Sequence, residues 1–593
     1  MIGWPLRHRT TFAIDKTASG PSTKSAILMG LDASQGLLRL WKSIKDAKEA
    51  GTKIVVVDPR KTQTAELADL YLQLRPGTDA ALILGMINVI ITEGLYDKEF
   101  VEKWCYGFDD VVKRVKDFTP EKAAEITWVP VADIRQAARW YATLKPGIFL
   151  HGMGMEQLES QQDAIQARII MQAITGNIDQ KGSDYIPGSL MEMVSEGEME
   201  LTGALSAAQR KKQIAADRFK LLSWPGREAI WEHSSKLWKQ NPMVFCEAHF
   251  PSLLRAMVTG KPYPVKAGIT AWSNPMITQA NTKLVYEAFK SLDLYVVKDF
   301  WLTPSAQLAD YVLPTDCWLE RPTAKANLDS DTRVVAGEQA LPNFKAGEFE
   351  YLTDFDFFRG LGVRLGQEQI WPWKNLMESY DYMLKPMGLT HKEFMEKKNG
   401  IFFPPDSYKK YEKMGGFSTP TGKLELRSTI LEKLGYDPLP TYVEPKESPI
   451  SRPDLAKEYP LMLITGGRFL PYFHSEHRQI PSIRKRRPYP LVQMNPKTAR
   501  DLGIEDGDWV WIENMRGRVR MKCSYFEGIH PQVVHAEHGW WYPEMPGEEP
   551  WLSGVWEANI NVIIGDEPER CDPKSGGWPL KTALCKVYKQ VGL

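Results

Sequence analysis

The first part of the chain alternates between short apolar runs and longer stretches of helical periodicity. The runs lie at 25–30, 53–58 and 147–152, and the β-branched run at 53–58 is typical of a strand buried on both faces. Apolar residues at helical spacing predict helices at 37–50, 79–93, 130–144 and 161–175. Strands and helices in series predict a parallel, doubly wound sheet, and we assign residues 1–185 to a Rossmann-like domain.

A second unit with the same alternation follows. An apolar run at 268–272, a helical stretch at 281–291 and another run at 294–298 predict a second Rossmann-like domain over residues 186–437. The stretch 188–264 is rich in charge and Trp and has no readable periodicity, so this domain is expected to carry insertions.

The last part of the chain has short strands and turns in place of helices. A stretch rich in Pro, Glu and Ser at 438–459 predicts a linker. The runs after it predict a β-barrel over residues 460–593, with strands at 461–465, 491–494, 509–514, 518–523 and 532–535. The expected fold class is therefore α/β, with two doubly wound Rossmann-like domains and a C-terminal β-barrel domain.

The charge balance narrows the class of partner. The chain has 74 Lys plus Arg and 74 Asp plus Glu, which argues against nucleic acid or an anionic membrane as the main partner. The basic run 484–487 is interpreted as a solvated surface turn. The longest apolar stretch, 80–91, is too short to span a bilayer, so no direct membrane insertion is expected.

The cysteines and histidines give no metal-ligand spacing. No Cys-x-x-Cys pair occurs, so an iron–sulfur or zinc site built by this chain alone is not expected, and we assign no metal-binding residue. The His-bearing stretches 472–477 and 535–541 lack further metal ligands nearby, and we interpret them as polar groups that contact a ligand.

Polar residues follow the predicted strands of the first unit. Asp58 ends a buried strand, where a carboxylate can accept hydrogen bonds from a ribose or a guanine edge; a capping or salt-bridged Asp is the alternative. Gly77 lets the backbone turn sharply. Thr78 and Asp79 can cap a helix whose free N–H groups would face a phosphate, and a plain helix cap is the alternative.

The motifs, taken in order, resemble a known family. Each is weak alone, but the ordered set spans nearly the whole chain and resembles the catalytic large subunit of the dimethyl sulfoxide reductase family, the molybdenum- or tungsten-bispterin oxidoreductases. The branch it resembles most contains formate dehydrogenase-like, thiosulfate reductase-like and acetylene hydratase-like proteins. The motifs include Val57-Asp-Pro-Arg60, Arg75-Pro-Gly-Thr-Asp79, His151-Gly-Met-Gly154, Ser273-Asn-Pro275, Lys298-Asp299, Phe417-Ser-Thr-Pro-Thr-Gly-Lys-Leu-Glu425, His538-Gly-Trp-Trp541 and Asn559-Ile-Asn561.

The resemblance implies two molybdopterin guanine dinucleotides with molybdenum or tungsten. Each doubly wound unit would hold one guanosine, and the barrel would cover the pterins. The residues implied at the first nucleotide are Gly30, Asp32, Ser34, Asp58, Arg60, Gly77, Thr78 and Asp79.

The resemblance also assigns residues to the rest of the cofactor. Met153 and Gln157 would approach a pterin. The second nucleotide would be served by Asn274, Lys298, Asp299 and Arg321. The barrel residues implied to close over the cofactors are Arg468, Phe473, His474, Ser475, Asn561 and Lys581.

The beginning of the chain departs from the family pattern. Family members carry an N-terminal segment, usually with cysteines for a 4Fe-4S cluster, and the metal-ligating residue would fall upstream of Met1. We therefore expect an N-terminally truncated chain, with the cluster only in the missing segment and no catalytic residue assigned. At 30–34 the family usually has Asn-Pro, which this chain lacks.

Three functions follow from the resemblance as alternatives. The first is an oxidoreductase that transfers an oxygen atom, a hydride or electrons to a small substrate such as formate or a sulfur compound, with an iron–sulfur electron-transfer subunit as a possible partner. The second is a tungsten-dependent lyase that hydrates acetylene. The third is an inactive fragment or a subunit that requires a partner. A cytoplasmic location is expected.

Overall fold

The first α/β unit is built on parallel strands joined by helices. The computed structural model describes residues 22–186, 193–194, 196–199, 201, 204–234, 247–327, 333–342, 353–403, 408–467 and 469–590. The strands of the first unit are β1 (Ser25–Met29), β2 (Lys53–Val57), β3 (Leu70–Leu72), β4 (Cys105–Tyr106) and β5 (Gly147–His151). The longer helices are α1 (Leu38–Glu49), α2 (Asp79–Thr92), α3 (Lys98–Trp104), α4 (Phe108–Val115), α5 (Pro120–Thr127), α6 (Val131–Thr143) and α7 (Gln161–Ile174).

The sheet of this unit is covered on both faces. Its order is β3-β2-β1-β5, and every neighbouring pair is parallel. Leu28 and Val56 pack with α1 on one face, whereas Ile27 and Val55 pack with α2 and α7 on the other. Consecutive residues of β2 are therefore all apolar, and the predicted doubly wound parallel sheet is confirmed.

The second unit repeats this plan on a smaller scale and adds an antiparallel sheet. Strands β6 (Ala267–Ala271), β7 (Leu294–Lys298) and β8 (Tyr311–Leu313) are parallel. The antiparallel sheet, which the sequence did not predict, has the order β11-β10-β9. Its strands are β9 (Thr323–Asn327), β10 (Arg333–Gly337) and β11 (Ile401–Phe402). The longer helices are α8 (Trp224–Ser234), α9 (Phe250–Thr259), α10 (Thr282–Lys290), α11 (Asp354–Arg364), α12 (Leu376–Leu384) and α13 (His391–Lys398).

The chain returns to the first unit before it enters the barrel. Strand β12 (Leu424–Glu425) pairs with β4 in parallel. Leu424 and Leu439 lie in the same apolar core as α2 and α7. The domain boundaries at 185, 437 and 459 stay predictions.

The C-terminal barrel is closed by six strands. Five of them match the predicted strands, and the sixth, Ala583–Lys589, was not predicted. The order around the barrel is β13-β17-β14-β16-β15-β18. The strands are β13 (Leu461–Gly467), β14 (Leu491–Met494), β15 (Trp509–Asn514), β16 (Gly517–Tyr525), β17 (Val533–Glu537) and β18 (Ala583–Lys589). The predicted fold class is confirmed.

Short helices connect these elements, and no described helix is long and apolar enough to cross a membrane. The short helices are Ala33–Gly36, Gln63–Glu66, Met153–Glu156, Glu196–Met199, Ala207–Arg210, Pro275–Thr278, Lys410–Met414, Thr429–Lys433, Pro453–Ala456, Pro481–Arg484, Pro496–Asp501 and Val555–Ala558.

Candidate functional site

The strands of the first sheet end together at one edge. Because β1, β2 and β5 are parallel and in register, Gly30, Asp58 and Gly152 follow their carboxyl ends at the same level. Gly30 has a φ of +58°, and a Cβ on it would lie 2.9 Å from the Cα of Gly154. Since a side chain at either glycine would clash with the other, two backbones meet here without side chains between them.

Two predicted pterin contacts lie beside this meeting point. Met153 begins a one-turn helix, and 56% of its side chain is exposed. Gln157 follows that helix, and its carbonyl accepts a hydrogen bond of 3.1 Å from the Leu580 amide. The turn therefore lies against the segment that leads into β18.

Asp32 and Ser34 bond to each other rather than pointing apart. The Ser34 hydroxyl donates to Asp32 Oδ1 at 2.7 Å, and the Thr64 hydroxyl donates to the same oxygen at 3.0 Å. These two bonds hold the loop after β1 in place. The predicted nucleotide contacts of Asp32 and Ser34 stay predictions.

Asp58 and Arg60 link the first sheet to the barrel. The Asp58 carboxylate accepts from the Arg60 amide at 2.8 Å. Burial raises the pKa of Asp58 to about 6, although the Arg60 charge opposes the shift. Arg60 Nη1 donates to Gln493 Oε1 of β14 at 2.9 Å. The guanidinium therefore lies between the strand end and the barrel.

The turn before α2 is buried and closely packed. Gly77 has a φ of +83°, and a Cβ on it would lie 2.6 Å from Pro445 Cγ. The Thr78 hydroxyl donates to the Arg75 carbonyl at 2.7 Å. The prediction that the Thr78 side chain caps the helix is therefore wrong. Burial raises the pKa of Asp79, in the first turn of α2, to about 7. The first-turn N–H groups of α2 are thus left without a side-chain cap at Thr78.

Lys581 reaches the same place from the barrel side. Its ammonium donates to the Thr465 carbonyl at 2.5 Å, and a Cβ on Gly466 would lie 2.2 Å from Nζ. Burial and the Arg60 charge lower the pKa of Lys581 to about 8, and the Asp58 charge opposes them. Lys581 is therefore an electrostatic neighbour of Asp58 and Arg60, which lie in a different segment of the chain.

A loop after β13 carries three further predicted contacts. His474 Nδ1 lies 3.1 Å from His538 Nε2, and 57% of the Phe473 side chain is exposed. The Trp541 indole donates to the Ser475 carbonyl at 2.8 Å. Arg478 Nη1 donates to the His474 carbonyl at 2.6 Å, which fixes the loop from behind.

The loop also faces the second sheet. Burial raises the pKa of Asp299, which follows β7, to about 6, and the charge of Glu476 adds to the shift. The Asp299 carboxylate accepts from the Trp301 amide at 3.0 Å. The strand-end edge of the second unit therefore lies near the loop that carries His474.

The side-chain amide of Asn274, which follows β6, has only part of its hydrogen bonds satisfied. Its Oδ1 accepts from the Ser305 hydroxyl at 2.8 Å, and its side chain is buried. Among the described residues nothing accepts a hydrogen bond from its Nδ2. Because a buried donor without a partner is costly, this atom is suited to a ligand.

The two predicted cations of the second unit already have acidic partners. Lys298 Nζ donates to Asp354 Oδ1 at 2.8 Å. Arg321 pairs with Asp316 at 3.3 Å and with Asp354 at 3.6 Å. The Trp272 indole donates to Asp354 Oδ2 at 2.5 Å. Their predicted contacts with a nucleotide remain predictions.

The remaining predicted barrel residues have different outcomes. Asn561 Nδ2 donates to the Ile277 carbonyl at 2.8 Å, so its amide fastens the barrel to the second unit. Arg468 lies outside the described residues. His535 was predicted only as part of the His-bearing stretch 535–541, interpreted as polar groups that contact a ligand, and Asp354 was not predicted as a site residue.

The arrangement fits an anionic group with many donors and acceptors. Arg60 and Lys581, which are both partly buried, form no salt bridge with any carboxylate in the described part of the chain, and partly buried cations favour anionic partners. Unpartnered buried donors occur at Asn274 and His535. Carboxyls at Asp58 and Asp299 can accept from a nucleoside. A dinucleotide has the matching phosphates and base edges.

Two family models match the chain. Residues 19–345 match Molybdopterin oxidoreductase. Residues 461–584 match Molydopterin dinucleotide binding domain. The barrel is therefore a molybdopterin dinucleotide-binding domain.

Similar proteins cover nearly the whole chain. The acetylene hydratase of Syntrophotalea acetylenica is 36% identical, over 98% of this chain and 80% of the relative. The F420-dependent formate dehydrogenase subunit alpha of Methanocaldococcus jannaschii is 30% identical, over 83% of this chain and 68% of the relative. The solved structure of acetylene hydratase from Pelobacter acetylenicus matches with a TM-score of 0.91 at 35% identity, over 100% of this chain and 81% of that chain. These alignments give no support to the expected N-terminal truncation.

Proposed function

Because the chain belongs to the molybdopterin oxidoreductase family, within the dimethyl sulfoxide reductase group, we propose that it is a catalytic subunit that binds two molybdopterin guanine dinucleotides. One observation carries the proposal. The strand-end edge of the first sheet contacts the barrel through Arg60, and that of the second lies near the barrel loop at Glu476. Two nucleotides, one at each edge, would meet under the barrel.

The residues at the two edges have complementary tasks. At the first edge Asp58 would accept from a guanosine, while Arg60, Lys581 and the free N–H groups of α2 would hold phosphate oxygens. At the second edge Asn274 would donate and Asp299 would accept. When bound, the cofactor supplies a molybdenum or tungsten ion for redox or Lewis-acid chemistry.

Burial in the barrel domain would keep His538 neutral. Burial, with the His474 charge adding to it, lowers the pKa of His538 to about 3. A neutral imidazole donates one hydrogen bond and accepts one, so His538 can accept from His474 Nδ1 while donating to Gly467 O, 3.3 Å away. These two hydrogen bonds would orient the His474 ring towards the cofactor.

Two reactions remain as candidates for a small substrate. The first is redox: oxygen-atom, hydride or electron transfer with formate or a sulfur compound, served by an iron–sulfur electron-transfer subunit. The similarity to a formate dehydrogenase subunit supports it. The second is hydration of acetylene, which needs no net electron transfer and no electron-transfer partner. The match to acetylene hydratase over the whole chain supports it.

The test begins with the cofactor and continues with the substrate. Anaerobically purified protein is expected to release two GMP per molybdenum or tungsten atom on acid hydrolysis. Lys581→Gln is expected to retain less GMP, because a partly buried cation next to Arg60 is lost, whereas the exposed Lys497→Gln is the control. Protein without GMP would contradict the proposal.

Loaded protein is then assayed for formate-dependent viologen reduction and for acetaldehyde formation from acetylene. Dye reduction without hydration supports the redox candidate. Hydration without dye reduction supports the lyase. Loaded protein silent with formate, sulfur compounds and acetylene would contradict both.

A further inference from the structure

The imidazole of His535 lies on the outer face of β17, since Val534 and Ala536 face the barrel core, and it is held in one tautomer. The Gly467 amide donates to His535 Nε2 at 2.8 Å, so Nε2 is an acceptor and the proton resides on Nδ1. Burial, with the charges of Arg60 and Lys581, lowers the pKa of this ring well below its usual value, which keeps it neutral. Nδ1–H is therefore a fixed donor.

This donor has no protein acceptor. The side chain is 3% exposed, and no described residue accepts a hydrogen bond from Nδ1. An unmade hydrogen bond at a buried donor costs about 1–3 kcal/mol, so such an atom usually has a ligand or water as its partner.

Two consecutive glycines make room for the ring and for a neighbouring cation. A Cβ on Gly467 would lie 2.0 Å from His535 Cε1, and a Cβ on Gly466 would lie 2.2 Å from Lys581 Nζ. The charge of Lys581 also acts on the His535 ring, so the two groups lie within electrostatic reach of each other. Arg60 acts electrostatically on both.

We propose that His535 donates its Nδ1–H to a phosphate oxygen of the guanine dinucleotide, beside Lys581 and Arg60. The proposal rests on the proposed function. A neutral donor among two cations suits an anionic oxygen better than a carbonyl, because the cations supply the charge and the imidazole supplies the direction. Gly467 acts as the residue that sets the tautomer.

Two substitutions separate the two nitrogens. In His535→Gln the longer amide reaches the place of Nε2 and can still accept from Gly467, but the donor near Cβ is lost. In His535→Asn the amide can place an N–H near the position of Nδ1, and the acceptor for Gly467 is lost instead. His535→Phe keeps the ring volume and loses both.

The measurement is the retention of GMP in loaded protein at increasing guanidinium concentration, with the melting temperatures of loaded and cofactor-free chains. His535→Gln and His535→Phe are expected to bind roughly tenfold more weakly, and so to lose GMP at lower denaturant. Their loaded-minus-free difference in melting temperature is expected to shrink. His535→Asn is expected to stay close to wild type in both measurements. His530→Gln, a half-buried histidine of the barrel that stacks on Trp128, is the control.

The outcomes distinguish this proposal from the one it rests on. Wild-type protein without GMP would overturn both. Wild type with GMP and a His535→Gln variant that retains it equally well would overturn the role of His535 alone. Equal lowering of the melting temperature in loaded and cofactor-free His535→Gln would overturn it too, because that result indicates a purely structural role. If inorganic phosphate stabilises the cofactor-free wild type and not His535→Gln while GMP retention is unchanged, the site binds free phosphate instead.

Discussion

Two carboxyls at the first sheet edge are held in a protein environment that disfavours their charge. Burial raises the pKa of Asp58 to about 6 and that of Asp79 to about 7. The charge of Asp58 contributes to the second shift, since like charges oppose each other's ionisation. In the cofactor-free protein these groups therefore keep their protons to a higher pH than an exposed Asp does, and the protonated form of each can both donate and accept.

The raised pKa of Asp79 predicts that the stability of the cofactor-free protein depends on pH, and that Asp79→Asn weakens this dependence. A raised pKa contributes stability that is fully present below the unfolded value of 3.8 and is lost as pH rises through about 7. The melting temperature of the cofactor-free wild type should therefore fall between pH 4 and pH 7, by an amount that reflects about 1.4 kcal/mol for each pKa unit. Asp79→Asn should flatten this fall and melt higher than wild type at pH 8.

The exposed Asp117→Asn is the matched control, because its carboxyl lies on the surface of the same unit. Its pH profile should run parallel to wild type. An Asp79→Asn profile that falls as steeply as wild type would show that this carboxyl is not the source.

Single residues could be located from the sequence where the cue is local. Asp58 was placed at a crevice because the apolar run before it marks the strand, whereas Asn274 was assigned through the family resemblance. The pairing of Lys298 with Asp354 could not be foreseen, because 56 residues separate them and only the tertiary fold brings them together. The Thr78 hydroxyl donates to the Arg75 carbonyl and does not accept from the helix amides. The sequence does not decide between these two local hydrogen bonds.

At the scale of elements, the stretch 438–459 packs as a strap across the first unit. Arg75 is 2% exposed and makes two bonds of 2.7 Å to the two oxygens of Glu444. Tyr442 accepts a third bond from Arg75 at 2.9 Å, and the Ser448 hydroxyl donates to Glu444 at 2.5 Å. The strap also packs against Gly77 through Pro445.

Breaking this ion pair should therefore cost much more than breaking an exposed one. Glu444→Gln leaves the Arg75 charge buried without a counter-charge, and we expect a loss of about 3 kcal/mol or more, seen as a lower melting temperature. Arg75→Met with Glu444→Leu should recover part of the loss, because neither charge is then left alone.

The comparison pair is Lys497 and Asp501, 2.6 Å apart and largely exposed on the barrel surface. Asp501→Asn should change stability by less than about 1 kcal/mol. If Glu444→Gln is equally mild, the strap is held by its apolar contacts and not by the ion pair.

Elements could be predicted where periodicity is strong. Helix α2 is a continuous apolar stretch within one core, strand β2 is a continuous apolar stretch shared by two cores, and both were predicted. Strand β18 was missed because it follows a long connection without strands and is recognised only when it closes the barrel against β13 and β15. The antiparallel pair of β9 and β10 was not predicted, because the apolar residues of β9 are two alanines and give only a weak alternation.

At the scale of the whole molecule, the barrel is fastened to both α/β units. Gln493 and the Gly528 carbonyl bind the loop after β2, the latter through a bond of 2.7 Å from the Lys61 amide. On the other side Asn559 Nδ2 donates to the Met276 carbonyl at 2.9 Å, next to the Asn561 bond. A barrel held at both ends fixes the distance between the two sheet edges, and the two proposed dinucleotides would bind across that distance.

The last prediction concerns this fastening. Asn559→Ala removes the donor to Met276 and to the Thr282 hydroxyl, 3.1 Å away, and leaves buried acceptors unsatisfied at a cost of about 1–3 kcal/mol. Amide hydrogen exchange should therefore quicken in 275–290, which includes α10, while β13 and β17 keep their protection. Asn514→Ala is the matched control, because it loses a comparable 2.8 Å bond to Ile563 within the barrel and should quicken exchange near 563 instead. Equal exchange in 275–290 for the two variants would mean that the second unit is held by its other contacts, and that the Asn559 amide does not set its position.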